Sequence, residues 1–144
     1  MSAPVESRPL RIGELARLAG TTPRTVRYYE ELGLLAAEKE RGAGEHRTYG
    51  EDTLARLREL LRLKSLLGLS LDELREVMAG EDARTARRHA WAVTDDPDER
   101  RRMLADATAH VESLLEHVRR HKRDVEEYEA ELLVRRDRLK EVAP

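Results

Sequence analysis

Arg24, Thr25, Arg27 and Tyr28 crowd two cations, a hydroxyl and a phenol into five positions. On one helix face such groups can neutralise phosphates and reach base edges in a major groove. Thr22 lies just before them. Further candidates follow at Arg41, His46, Arg47, Tyr49 and Lys64. The chemistry these residues offer is non-covalent grip on a polyanion. An enzyme is not expected: there is no glycine-rich phosphate loop, no motif placing Ser, His and Asp together, and no cysteine. No cofactor is expected either. His117 and His121 are four apart, a spacing that can hold metal. Without cysteine or a converging acidic cluster, they and His110 read as residues of a helix edge, and no metal is expected.

The elements that must position these groups are legible. Thr22 can cap a helix with its hydroxyl, and Pro23 suits the first helical position, where its missing N–H costs nothing. Val26 and Tyr29 share the inner side at helical spacing, and Gly33 can stop the helix. Upstream, Ile12, Leu15, Ala16 and Ala19 form an apolar stripe that Gly20 can end. Residues 12–33 therefore read as a helix-turn-helix. In the polar stretch 36–50, Leu34-Leu35 and Arg47-Thr48-Tyr49 are expected to pair as a short hairpin with glycines at its tip. Such a hairpin is a wing whose cations would lie on the DNA backbone.

A helix is expected over 52–67, with Leu54, Leu57, Leu60, Leu61 and Leu67 on its broad face and Gly68 as its stop. Ser70 and Glu73 form a capping box ahead of Leu74, Val77 and Met78. Gly80 is expected to end that fourth helix, and a short helix around Ala86, Ala90 and Val93 to follow. Asp96 and Pro97 then open the last helix, which contains no glycine or proline up to residue 143. The chain thus divides into a disordered lead (1–9), a winged helix-turn-helix DNA-binding domain (10–79), a linker or short helix (80–96) and a long helix (97–142).

Leu104, Val111, Val118, Val125, Leu132 and Leu139 recur every seven residues along this helix. Ala107, Leu114, His121 and Tyr128 stand three positions after the first four of them. A sustained seven-residue repeat makes a narrow seam that needs another helix. At 1.5 Å per residue the helix runs roughly 70 Å, more than a small domain can cover. A second copy is the expected partner, giving an antiparallel coiled coil in a two-fold homodimer. The fold class is mainly α.

Composition agrees. The net charge is −2, but residues 8–64 hold 12 Lys/Arg against 9 Asp/Glu, so the half that would meet DNA is mildly basic. With no Phe and one Trp, the chain suits helices with narrow apolar seams. It has no apolar run of membrane-spanning length, and Met1 to Pro9 does not read as a signal peptide. No membrane partner and a cytoplasmic location are expected.

The run Ile12-Gly13-Glu14-Leu15-Ala16, then Thr22 to Glu30, then Gly33-Leu34-Leu35, resembles the MerR (mercury-resistance regulator) family of bacterial transcription regulators. Arg47-Thr48-Tyr49, the stretch from Leu66 to Leu74 and the long last helix follow in the family's order. The resemblance implies a homodimer on a two-fold promoter operator, with RNA polymerase as a further partner. Family members typically sit between the two promoter elements and bend and untwist an overlong spacer, so that deformation carries much of the regulation. By position, the resemblance implies that Arg24, Thr25, Arg27 and Tyr28 serve the recognition helix, Arg47 and His46 the wing, and Lys64 a second backbone contact, while Tyr29 packs inside. The sequence departs from the family pattern at Glu45-His46, where Gly-Tyr is usual before the arginine.

The thiolate-based inducers of the metal and redox branches do not fit a chain without cysteine. Trp91, Val93 and Tyr128 are instead candidates to line an apolar pocket for a small-molecule effector. No dedicated effector domain is expected after the long helix. The alternative to a promoter regulator is an architectural, excision-type DNA-bending protein built on the same winged helix; a third reading is a coiled-coil adaptor.

Overall fold

The computed structural model describes residues 8–37 and 47–144. The expectations for residues 1–7 and for the wing tip at 38–46 lie outside the described residues. Five helices follow in order: α1 (Ile12–Ala19), α2 (Pro23–Glu31), α3 (Glu51–Leu67), α4 (Leu71–Val93) and α5 (Pro97–Glu141). They belong to two compact units, residues 1–64 and 65–144, divided within α3.

In the first unit, α1 ends because Gly20 adopts φ 76°, which turns its N–H back onto the Ala16 and Arg17 carbonyls. Thr22 then caps α2 by accepting from the Thr25 N–H at 3.2 Å, and Pro23 fills the first turn. Gly33, also at φ 76°, closes α2 and lets Leu34 bond back to the Tyr29 carbonyl at 2.9 Å. The helix-turn-helix is thus fixed by short-range chemistry. Leu15, Ala16, Val26, Tyr29, Leu34, Leu35, Tyr49, Leu57, Leu60 and Leu63 are its buried apolar groups. Arg56 and Arg58 of α3 satisfy two loop carbonyls, those of Leu34 at 2.7 Å and Leu18 at 3.2 Å.

The expected hairpin partner is corrected here. Tyr49 pairs with Leu10, through N···O distances of 2.8 and 2.9 Å in an antiparallel bridge, and not with Leu34-Leu35. The latter pair is used instead to close α2 on itself. The segment that leads into α3 is therefore stapled to the segment that leads into α1.

In the second unit, Ser70 caps α4 and forms the expected capping box with Glu73, at 3.3 and 3.0 Å. α4 does not stop at Gly80 but continues to Val93, so the expected separate helix after Gly80 is part of it. Gly80 serves packing: a Cβ there would overlap the His110 ring of α5. Gly68, which does end α3 at φ 59°, lies likewise against the His121 ring. After a short turn, Asp96 caps α5 through the Asp98 N–H at 2.9 Å, with Pro97 behind it.

α4 and the first half of α5 form an antiparallel hairpin. Trp91 meets Arg100, Glu81 meets His110 at 3.0 Å, and Glu73 meets His117 at 3.2 Å and Arg120 at 2.6 Å. The Arg120 hydrogen bond, helped by the Ser70 backbone and hydroxyl, lowers the Glu73 pKa from 4.5 to about 2. The sign of the linkage follows. A depressed carboxylate pKa contributes stability that is complete above the unfolded value and is lost as pH falls through the folded one. Between about pH 4.5 and 2, wild-type stability should therefore fall more steeply than that of Glu73→Gln. Denaturation midpoints across that range test this, and parallel curves would refute it.

Candidate nucleic-acid interface

α2 presents two faces with different chemistry. Val26 and Tyr29 are 0% and 1% exposed and anchor the helix. Arg24, Arg27 and Tyr28 face water, Tyr28 at 46% exposure. Thr25 is half-buried, and its hydroxyl lies 3.1 Å from that of Thr22. Thr22 thus holds Thr25 both through its backbone N–H and through its hydroxyl. The Tyr28 and Tyr29 rings are 5.9 Å apart at 43°, one outside and one inside. Lys64 donates to the Tyr29 hydroxyl at 3.3 Å, so its ammonium is held over a core residue.

Tyr49 must be corrected as a nucleic-acid contact. It is 1% exposed, because the bridge to Leu10 sets the strand register that turns its ring inward. Burial, and then the adjacent Glu30 carboxylate, push its phenol well above the ordinary tyrosine value, against the opposing pull of Arg47 and Arg27. Glu30, on the inner flank of α2 with its side chain only 7% exposed, accepts from Arg47 at 2.5 Å. That ion pair ties the segment before α3 to α2. Arg41 and His46 lie outside the described residues.

A cleft of about 880 Å³ opens beside this pair. Arg11, Arg17, Arg27 and Arg47 line it together with Glu14, Glu30 and Tyr49. Four guanidinium groups against two carboxylates leave it positive, and Glu14 is itself paired with Arg8 at 2.7 Å. Arg11 and Arg17 were not singled out from the sequence. Arg11 is the residue before α1 and Arg17 lies in its last turn, and no motif marks either. Positive, open and next to an exposed helix of Arg, Thr and Tyr, the surface suits a chain of phosphates better than a single small substrate.

Residues 10–81 match the family of MerR HTH regulatory proteins. The chain belongs to the MerR family. It is 35% identical over 97 residues to the HTH-type transcriptional regulator YfmP of Bacillus subtilis, which covers 67% of this chain and 69% of YfmP. To the nodulation protein NolA of Bradyrhizobium elkanii it is 47% identical over 73 residues, 51% of this chain but 32% of that longer protein. Among solved structures, the transcription regulator PbrR691 of Ralstonia metallidurans, in complex with lead(II), superposes with a TM-score of 0.51 at 29% identity. That match covers 89% of this chain and 86% of PbrR691. This chain is thus a transcription regulator of the MerR family with a helix-turn-helix, and not an enzyme. None of its described helices is long and apolar enough to cross a membrane.

In the second unit, α5 carries two seams. Ala107, Leu114 and His121 fall in the register that faces α4: Ala107 lies among α4 side chains, and His121 against Gly68. Within the chain all three are partly buried. Leu104, Val111, Val118, Val125, Tyr128, Leu132 and Leu139 remain exposed. The expected effector pocket does not assemble within the chain. Val93 is 84% exposed, and Tyr128 lies 28 residues, roughly 42 Å of helix, beyond the Arg100 that touches Trp91.

Proposed function

We propose that this protein binds a two-fold promoter operator as a homodimer in the cytoplasm and controls transcription by distorting the spacer that RNA polymerase must read. The observation that carries the DNA half of this reading is the outward face of α2, with Arg24, Arg27 and Tyr28 exposed on a helix anchored by Val26 and Tyr29. Residues 10–79 would act as the DNA-binding portion and 97–142 as the dimerisation helix. Thr22 and Thr25 would orient the recognition face, Arg47 would hold the wing root, and Lys64 would add a backbone contact.

The dimer half rests on the exposed seam of α5. Its six members are spaced so that an antiparallel copy is self-complementary: Leu104 would meet the partner's Leu139, Val111 the partner's Leu132, and Val118 the partner's Val125. An isologous interface requires such a pattern. Left single, the same stripe would expose a long run of Leu and Val to water.

Footprinting on the DNA upstream of its own gene tests the reading. A protected two-fold site with a hypersensitive centre supports it. Direct repeats without a dyad would favour an architectural role, and no discrete site would refute both. Arg27→Ala should weaken operator binding roughly tenfold and lower the slope of log affinity against log salt by about one. An unchanged slope in a titration at several salt concentrations would remove Arg27 from the phosphate contacts.

A further inference from the structure

On charge alone, Glu30 is in the wrong place. It lies on α2 one turn after Arg27, and its side chain is only 7% exposed. It lines the cleft of about 880 Å³ in which Arg11, Arg17, Arg27 and Arg47 gather. A carboxylate there repels the polyanion that the guanidinium groups attract. What Glu30 does instead is hold Arg47, whose Nη1 donates to its Oε2 at 2.5 Å. Its other oxygen, Oε1, is buried and meets no hydrogen-bond donor among the described residues. A buried carboxylate keeps its charge only beside a cation, and Arg47 supplies one. Arg47 in turn keeps 53% of its side chain exposed. A second cleft, of about 540 Å³, is also lined by Arg27, Glu30 and Arg47. The three therefore form a ridge between the two clefts. On that ridge the carboxylate offsets the repulsion between the two guanidinium groups.

We infer that Glu30 is a positioning residue for DNA binding. It holds Arg47 beside Arg27, so that both guanidinium groups meet one stretch of phosphate backbone, and it touches no nucleic acid itself. This rests on the reading that the outward face of α2 meets DNA.

The sign of one substitution tests it. Glu30→Gln keeps the size of the side chain and removes its charge. By charge alone the variant should bind DNA more tightly. By positioning it should bind roughly tenfold more weakly, with the slope of log affinity against log salt lower by about one, because Arg47 no longer stands at a phosphate. In an Arg47→Met background Glu30 has nothing to position and only repels. There Glu30→Gln should tighten binding or leave it unchanged, whereas a merely structural role for Glu30 would weaken binding in both backgrounds. Glu30→Asp, which keeps the charge on a stem one carbon shorter, should lose less affinity than Glu30→Gln and lose none in the Arg47→Met background. It carries the comparison if Glu30→Gln does not fold. Titrations of duplex DNA from upstream of the gene, at several salt concentrations, read the cycle, and circular dichroism confirms that each variant is folded. Tighter binding by Glu30→Gln alone, or equal weakening in both backgrounds, would overturn the inference and leave the DNA reading standing. Wild-type protein without salt-dependent affinity for the duplex would overturn both.

Discussion

A glutamate at Val118 should leave the protein monomeric and reduce its operator affinity by roughly 100-fold or more. In the antiparallel pairing, residue 118 of each copy lies against the partner's Val125, beside the two-fold axis. The substitution would therefore bury two carboxylates per dimer in an apolar seam. Each costs several kcal/mol to desolvate, enough together to weaken association by more than about a thousandfold. Light scattering behind a sizing column reads the first effect and an operator titration the second. A rescue decides the orientation. Val118→Glu combined with Val125→Lys places opposite charges across an antiparallel pair, twice, and should restore much of the dimer. In a parallel pair the same double variant sets like against like at both levels and restores nothing. A Val118→Glu protein that stays dimeric would show that the seam is not the interface.

Gly68→Ala should cost about 2–5 kcal/mol of stability, and the comparison with Gly80→Ala explains why. At Gly68 two penalties add. The φ of 59° is left-handed, which costs a side-chain-bearing residue about 1–2 kcal/mol. The new Cβ would also overlap the His121 ring, and overpacking of that kind costs about 1–3 kcal/mol. At Gly80 the terms oppose each other. The overlap with His110 is similar, but the backbone is helical, and alanine there gains about 1 kcal/mol of helix propensity over glycine. Gly80→Ala should thus be nearly neutral to moderately destabilising. Removing the ring separates the two sites. In a His110→Ala background Gly80→Ala should become stabilising by about 1 kcal/mol, whereas Gly68→Ala should remain destabilising after His121→Ala. Denaturant midpoints for the two double-mutant cycles test this. If the His110→Ala background leaves the effect of Gly80→Ala unchanged, the ring does not set the cost.

The two glycines also mark where sequence reading succeeds and where it fails. The turn between α1 and α2 is legible because its causes are local: Gly20, Thr22 and Pro23 act on their immediate neighbours. Gly80 looks like the same kind of stop. Whether it ends a helix or admits a ring depends on residue 110, which no local pattern includes. Tyr49 fails for a related reason. It stands next to Arg47 and Thr48 in a basic stretch, but the partner of its strand is Leu10, and the register of that bridge decides which way the ring points. On α5 the residues of the seven-residue repeat are exposed in the single chain. The neighbouring register of the same helix holds Ala107 beside α4 side chains and His121 against Gly68, which a repeat within α5 does not reveal. Arg11 and Arg17 carry no distinguishing pattern at all; only the cleft brings them beside Arg27.

The uneven cover along α5 makes that helix a ruler for hydrogen exchange. Up to His121 its amides lie alongside α4, while every residue from Lys122 to Glu141 is exposed in the single chain. A lone helical stretch of that length is only marginally stable in water. Amides before position 121 should therefore be protected at any protein concentration. Those beyond it should exchange quickly in dilute solution and slow as the protein is concentrated, because the proposed second copy would shield them. A protection profile that ignores concentration would mean that the far half of α5 holds its helix without a partner.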